Sequence, residues 1–186
     1  LRLRSTSRSY RPDLSHPGFD TKLLKPRAII EMLASGTRDL GFAGADWVDE
    51  SEAELIELLD TGLDRVELVV AAPESVLRDG KLPGRPLVVA SEYASIAQRW
   101  IDRSGLDATV LRSYGATEVL PPEDADCIID NTATGATLKA NALAIIDVVM
   151  TSSTRLYASK QAMSDPDRRE RIERFSMLIR SVLEAR

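Results

Sequence analysis

The sequence predicts an α/β fold of two lobes built on mainly parallel sheet. Three observations carry that expectation. Short apolar runs of strand type alternate with helix-length segments along most of the 186 residues. The stretch "RDGKLPGRP", rich in Gly, Pro and charge, breaks the chain at residues 78–86, after which the same rhythm restarts. A long extended run, "AIIDVVMTSSTRLYAS", then offers a way back from the second unit to the first. The expected division is residues 1–85 with 151–186 in one lobe and 86–150 in the other, with a ligand cleft between them.

Taken in order, "LRLRS" reads as a short strand and "YRPDLSHPGFD" as loop. "PRAIIEMLASG" reads as a helix with Ile29, Ile30, Met32 and Leu33 on its apolar face and Gly36 at its end. "DLGFAGAD" gives a short strand closed by a glycine turn. "ESEAELIELLDTGL" is expected to be a second helix, acidic in its first turn and stopped by Gly62. "RVELVVAAP" is a continuous apolar run, the pattern of a strand buried on both faces. After the break come the strand "PLVVAS", a helix with Ile96, Trp100 and Ile101 inward, and the strand "ATVLRSYG". "DCIID" and the helix "TLKANAL" follow. The closing helix has Asp165 as cap and Pro166 in its first turn.

Composition excludes several classes. With 44% hydrophobic residues the chain can build a real core, and no apolar run approaches the ~20 residues of a membrane span. A net charge of -5 argues against bulk nucleic-acid binding. The single cysteine, Cys127, rules out an internal disulfide framework and suits a reducing compartment, so a cytoplasmic protein is expected. The start is basic and polar, without the apolar centre of a signal peptide.

Chemistry concentrates in "DCIIDNTATGATLKAN", residues 126–141. The run Cys127, Ile128, Ile129 delivers Asp130 to the carboxyl end of a buried strand, where ligands gather in open α/β sheets. Small or hydroxylated residues follow, among them Thr132, Ala133, Thr134 and Ala136, and Gly135 permits positive φ. A helix then begins near Thr137 and Leu138. Its unpaired amides and the hydroxyls of Thr132, Thr134 and Thr137 suit a phosphate. Asp130 cannot favour that anion, so a ribose diol or a magnesium-bound partner is its natural ligand. The plainer alternative is a turn capped by Thr137.

The stretch "EVLPPEDADCIIDNTATGATLKANAL", residues 118–143, resembles the signature of the ATP phosphoribosyltransferases, which open histidine biosynthesis. "KPRAIIEMLASGTRDLGFAGADWV" and "VVASEYASIAQRW" resemble two further blocks of that family, in the same order. The resemblance implies the two-lobed fold of bacterial solute-binding proteins, that is, periplasmic-binding-protein-like, type II. It places Thr134, Gly135, Ala136, Thr137 and Leu138 on the loop holding the 5-phosphate of phosphoribosyl pyrophosphate. Asp130 falls on the carboxylate that binds the ribose hydroxyls, and Glu118 on a second acidic group of the same site. Gly41, Gly44 and Asp46 fall on a first-lobe wall facing ribose and pyrophosphate, and Lys25 where the family usually has arginine.

The sequence departs from the family pattern in places. "PPEDAD" makes the segment between Glu118 and Asp130 one residue shorter, Ala28-Ile29-Ile30 replaces Asp-Ile-Pro, and Ala94-Ser95 replaces Pro-Asn. The family's first strand and its basic loop have no counterpart here, so weak polyanion binding is expected. Other candidates stand apart. His16 has no Ser or Cys partner, Trp47 and Trp100 read as packing residues, and Tyr93 is a candidate contact for a nucleotide base. Asp124 and Asp126 read as solvent-facing. Arg2, Arg4, Arg8 and Arg11 are either a solvated edge or part of a polyanion site.

The activity that the resemblance implies joins N1 of the ATP adenine to the ribose of phosphoribosyl pyrophosphate, with magnesium, and releases pyrophosphate. It needs no covalent nucleophile, in keeping with the lack of a Ser/His or Cys/His constellation. Implied partners are a second copy of the chain and a synthetase-like regulatory subunit. The rival expectation is a two-lobed binding or regulatory relative that closes on a small anion without reaction.

Overall fold

The computed structural model describes residues 3–4 and 10–185. Arg2, Arg8 and most of the expected first strand lie outside the described residues. A two-residue pair, β1 (Leu3–Arg4) with β2 (Asp13–Leu14), precedes the main body. Helix α1 (Pro26–Ala34) opens on a proline and buries Ile30 and Leu33. Gly36 follows its end in the left-handed region, φ 69°, as expected for a glycine stop. Strand β3 (Leu40–Gly44) runs directly into helix α2 (Ala45–Ser51).

The next segment departs from expectation. Residues 52–62 are not a helix: α2 ends at Ser51, Glu52 takes the left-handed region, and β4 (Ile56–Pro73) follows as an eighteen-residue strand. The apolar spacing that suggests a helix is accommodated here by register shifts between Glu57 and Leu59 and between Asp60 and Val66. Gly62 (φ 65°) sits in that irregular stretch instead of ending a helix. Pairing with a neighbouring strand overrides local helix preference.

Strand β5 (Leu87–Ser91), helix α3 (Ala94–Ser104), β6 (Ala108–Arg112), β7 (Cys127–Thr132) and α4 (Ala136–Ala140) follow as expected in type and order, with a 3-10 turn over Thr117–Val119 between β6 and β7. The long strand β8 (Leu143–Ala158), α5 (Lys160–Ser164) and α6 (Pro166–Glu184) complete the chain. Asp165 caps α6 as expected, accepting from the amides of Asp167 and Arg168 at 3.0 and 3.2 Å.

Six strands form one mixed sheet in the order β3-β8-β4-β7-β5-β6. It is parallel where β5 meets β6 and β7, and antiparallel where β4 and β8 pair with each other and with β7 and β3. The two long strands connect its ends. Residues 154–158 of β8 lie between β3 and the first half of β4, whereas residues 67–71 of β4 lie between β7 and β8. Residues 78–86, where the strand–helix rhythm breaks, form a turn leading from β4 to β5, with a bridge between Arg78 and Lys81.

The core follows from the alternation of a strand covered on both faces. Leu68, Val70 and Ala72 point under α3 and meet Ile96, Trp100, Ile101 and Ile129. Val69 and Ala71 point to the other face and meet Ile128 and Leu138. Cys127 is fully buried among them, which pushes its thiol up to about 12 and leaves it a packing residue. His16 stacks near Phe19 and Phe175. Because Ile129 is completely buried one residue before Asp130, Ile129→Ala is expected to cost about 2–5 kcal/mol in urea unfolding. It should also blunt any ligand binding at the strand end.

Candidate functional site

Strand β7 ends by presenting Asp130 and Thr132, and the chain turns at Gly135, which takes φ 73° as N-cap of α4. The turn is braced from within. The Gly135 amide donates to Thr132 Oγ1 at 2.8 Å, and the Ala136 amide reaches Thr134 Oγ1 at 3.4 Å. The first-turn amides of Thr137 and Leu138 have no acceptor among the described residues. A cavity of about 300 Å3 lies against this turn, and its wall brings together Glu118, Asp130, Thr132, Ala133, Thr134, Ala136, Thr137 and Leu138. These eight come from the 3-10 turn, the end of β7 and the start of α4. Gly135 shapes the turn without lining the cavity.

Asp130 sits in an unusual electrostatic setting. Burial raises its pKa to about 6, against the lowering effect of the Asn131 amide, which donates to Oδ1 at 2.7 Å, and with the charges of Glu118 and Glu92 pushing the same way as burial. Above that pH the site holds a carboxylate, an acceptor for hydroxyl groups, facing a loop of hydroxyls and free amides that accepts an anion. The two halves suit the two ends of a sugar phosphate: diol at the acid, phosphate at the loop.

The first-lobe residues expected in the same wall are placed elsewhere. Asp46 is buried, and its carboxylate is fully engaged. Oδ2 accepts from the Tyr93 hydroxyl at 2.7 Å and Oδ1 from the Ser152 hydroxyl at 2.7 Å. The Asn131 side chain completes the chain by donating to Tyr93 Oη at 2.8 Å. Tyr93 is therefore a buried joint, packed on Trp47 with ring centroids 4.6 Å apart, and not an exposed contact for a base. Gly44 leaves the space into which the Asp46 carboxylate folds, since a Cβ there would overlap it. Gly41 packs under α1, where a Cβ would come 2.7 Å from Ile29. Lys25 lines a different cavity.

A second brace was not visible in the sequence. Glu50 of α2 is buried and accepts from the amides of Ser95 and Ile96, at 3.0 and 3.1 Å through Oε2, capping α3 from a distance of about half the chain's first hundred residues. Asp126, expected to face solvent, instead pins two loops by accepting from Arg85 at 2.5 Å and the Val88 amide at 2.8 Å. Burial pushes its pKa up, but those two donors outweigh it and hold the group below the usual value. Arg11 lies 3.6 Å from Asp20, and Arg4 is exposed in β1.

Comparison with known proteins places the chain in a family. The sequence profile of the family described as HisG, ATP phosphoribosyltransferase, matches residues 25–181. The chain belongs to the ATP phosphoribosyltransferase family. ATP phosphoribosyltransferase of Chlorobaculum parvum is 35% identical over 188 residues, covering 96% of this chain and 63% of that protein. The enzyme of that name from Solibacter usitatus is 34% identical, covering 100% of this chain and 66% of the relative. The chain thus spans a little under two thirds of the length of these curated relatives. Among solved structures, the ATP phosphoribosyl transferase (HisG:HisZ) complex from Thermotoga maritima superposes with TM-score 0.86 at 24% identity, covering 100% of this chain and 89% of that one. The periplasmic aliphatic sulphonate binding protein SsuA from Escherichia coli gives TM-score 0.54 at 14% identity, over 86% of this chain and 60% of the other. At these identities the likeness establishes the fold, which is the periplasmic-binding-protein-like type II fold.

Two outcomes test the geometry. The folded-state pKa of Asp130 lies above the ordinary value of 3.8, so its contribution to stability is present at low pH and lost as pH rises through about 6. Asp130→Asn removes that loss, and its thermal midpoint relative to the unmodified chain should rise between pH 4.5 and pH 7. Tyr93→Phe keeps the ring against Trp47 but strands Asp46 Oδ2 and Asn131 Nδ2, and urea unfolding should register a loss of about 1–3 kcal/mol.

Proposed function

We propose that the chain transfers the 5-phosphoribosyl group of phosphoribosyl pyrophosphate to N1 of the adenine of ATP, the first step of histidine biosynthesis. The observation that carries this reading is the single cavity in which Asp130 and Glu118 face the hydroxyls and free amides of residues 132–138. In the reaction the bond from the anomeric carbon to the pyrophosphate oxygen breaks as the bond to N1 forms, and the electron pair leaves with pyrophosphate. Positive charge develops on the ribose ring in passing. A carboxylate fixed beside the ring favours that charge, and the phosphate loop holds the far end of the sugar so that attack is in line. Asp130, above its pKa of about 6, is ionised at neutral pH and accepts from the ribose hydroxyls.

Magnesium, the cation the resemblance implies, does not fit a site built by protein alone: no group of three or more His, Cys, Asp or Glu able to cage an ion occurs among the described residues. We propose that it enters on the phosphates of the substrates. The Thermotoga maritima relative was solved as a HisG:HisZ complex, and this supports a reading in which the present chain also assembles with further copies and with a synthetase-like regulatory subunit. A cytoplasmic location agrees with the lone buried Cys127, and no helix among the described residues is long and apolar enough to cross a membrane.

The reading is tested by mixing the chain with ATP, phosphoribosyl pyrophosphate and magnesium while following the ultraviolet absorbance of the adduct. Turnover is expected, with Asp130→Asn lowering kcat/KM by about 100-fold. Unchanged turnover in that variant overturns the role of Asp130. Tight binding of ribose 5-phosphate with no product formed would favour the binding-module alternative.

A further inference from the structure

One side chain in the wall of the sugar cavity is oriented from behind and keeps an acceptor to spare. Asn131 stands between Asp130 and Thr132 at the end of β7, is exposed, and lines the same cavity of about 300 Å3. Its Nδ2 donates to the Tyr93 hydroxyl at 2.8 Å, and its backbone amide donates to Asp130 Oδ1 at 2.7 Å. Its Oδ1 has no hydrogen-bond partner among the described residues.

A carboxamide carries a donor on one arm and an acceptor on the other, and the bonds behind it decide which arm a ligand meets. Here each of those bonds has one direction. The Asp46 amide donates to Ser152 Oγ at 3.0 Å, and the Ser152 hydroxyl donates in turn to Asp46 Oδ1 at 2.7 Å. The Asp46 carboxylate only accepts, so the Tyr93 hydroxyl directs its single hydrogen to Oδ2 at 2.7 Å. Burial pushes the Tyr93 phenol far above its ordinary pKa, which keeps that hydrogen in place. The Tyr93 oxygen is left as an acceptor alone, and Asn131 must meet it with Nδ2. Turning the carboxamide over would set two acceptors together with no hydrogen between them. Oδ1 is therefore held away from Tyr93, a neutral acceptor on the residue next to Asp130.

Neutrality suits this wall. It already holds Asp130 and Glu118, and Asp130 feels the charges of Glu118 and Glu92. A further carboxylate would add repulsion, whereas a carboxamide adds an acceptor without charge. Two vicinal hydroxyls call for two acceptors side by side, and consecutive residues at one strand end supply them.

We propose that Asn131 is a specificity-determining residue for the sugar: its Oδ1 accepts from the 3-hydroxyl of the ribose while Asp130 accepts from the 2-hydroxyl, with Tyr93 and Asp46 as positioning residues that fix the direction of the carboxamide. The identity of the ligand as a ribose phosphate rests on the transferase reading above. The site then selects the intact diol, because a sugar without its 3-hydroxyl leaves a fixed acceptor unpaired once water is displaced.

The test is calorimetric titration of ribose 5-phosphate, 2-deoxyribose 5-phosphate and 3-deoxyribose 5-phosphate into the unmodified chain, Asn131→Leu and Tyr93→Phe. The unmodified chain should prefer ribose 5-phosphate over the 3-deoxy sugar by about tenfold. Asn131→Leu, similar in size but without a polar group, should bring that preference to within about twofold. It should keep the preference over the 2-deoxy sugar, which also reports a folded site with Asp130 in place. In Tyr93→Phe the carboxamide is free to turn over, and the 3-hydroxyl preference should fall to about threefold with the 2-hydroxyl preference kept. A 3-hydroxyl preference that is absent from the unmodified chain, or unchanged in Asn131→Leu, overturns the proposal alone. If all three sugars weaken alike in both variants, Asn131 is only a brace and the proposal is again overturned. An unmodified chain that binds no ribose 5-phosphate overturns the transferase reading, and this proposal with it.

Discussion

The hydroxyl of Tyr93 donates a hydrogen bond to buried Asp46 and accepts one from the Asn131 side chain, and the arrangement of the site depends on that three-residue chain. Asp46 opens α2, Tyr93 precedes α3, and Asn131 stands next to Asp130 on β7; Ser152 of β8 completes the set by donating to the other Asp46 oxygen. Each end of the sheet is thus tied to the other through groups that cannot be left unpaired. A buried carboxylate without donors is costly, so the four residues are bound to one arrangement or to none. Burial pushes the Tyr93 phenol far above its ordinary pKa, so it remains a neutral donor throughout the working pH range. Glu50, by capping α3 from α2, repeats the same tie with a second carboxylate.

Fixing Asn131 also fixes its neighbour. The Asn131 amide donates to Asp130 Oδ1, so the side chain that holds Tyr93 and the amide that holds Asp130 belong to one residue. Asp130 is then poised by opposed influences: burial and the charges of Glu118 and Glu92 raise its pKa to about 6, and the Asn131 amide restrains the rise. The acid is ionised at neutral pH but remains poorly hydrated, which strengthens whatever hydroxyl or developing positive charge replaces the missing water. Across the cavity the loop before α4 is held open by its own threonines, leaving the Thr137 and Leu138 amides to an incoming anion.

What the sequence made legible is what lies close together along the chain. Asp130 and residues 132–138 form one contiguous stretch, so their convergence could be expected from a strand, a glycine and a helix start. The buried run of β4 could be read because both faces of that strand are apolar from Leu68 to Ala72. The partners of Asp46 could not: Tyr93 is 47 residues away and Ser152 is 106 away, and nothing local in "GADW" distinguishes an acid that faces a ligand from one that faces a tyrosine. The first half of β4 was equally hidden. Its leucines fit a helical spacing, and only pairing with β8, through irregular register, makes it extended. The cavity lined by Lys25, Arg27 and Arg112 escaped because Arg112 lies far along the chain from the other two and meets them only through the fold.

The central claim is that one acid reads the sugar's diol while the loop reads its phosphate, and it is tested most directly by changing ligand and protein together. Calorimetric affinities for ribose 5-phosphate and 2-deoxyribose 5-phosphate would be compared on the unmodified chain and on Asp130→Asn. If Asp130 accepts from the 2-hydroxyl, removing that hydroxyl should weaken binding by about tenfold in the unmodified chain and far less in the variant. An equal loss in both proteins would mean that the hydroxyl is read elsewhere, and the account of the site would be wrong.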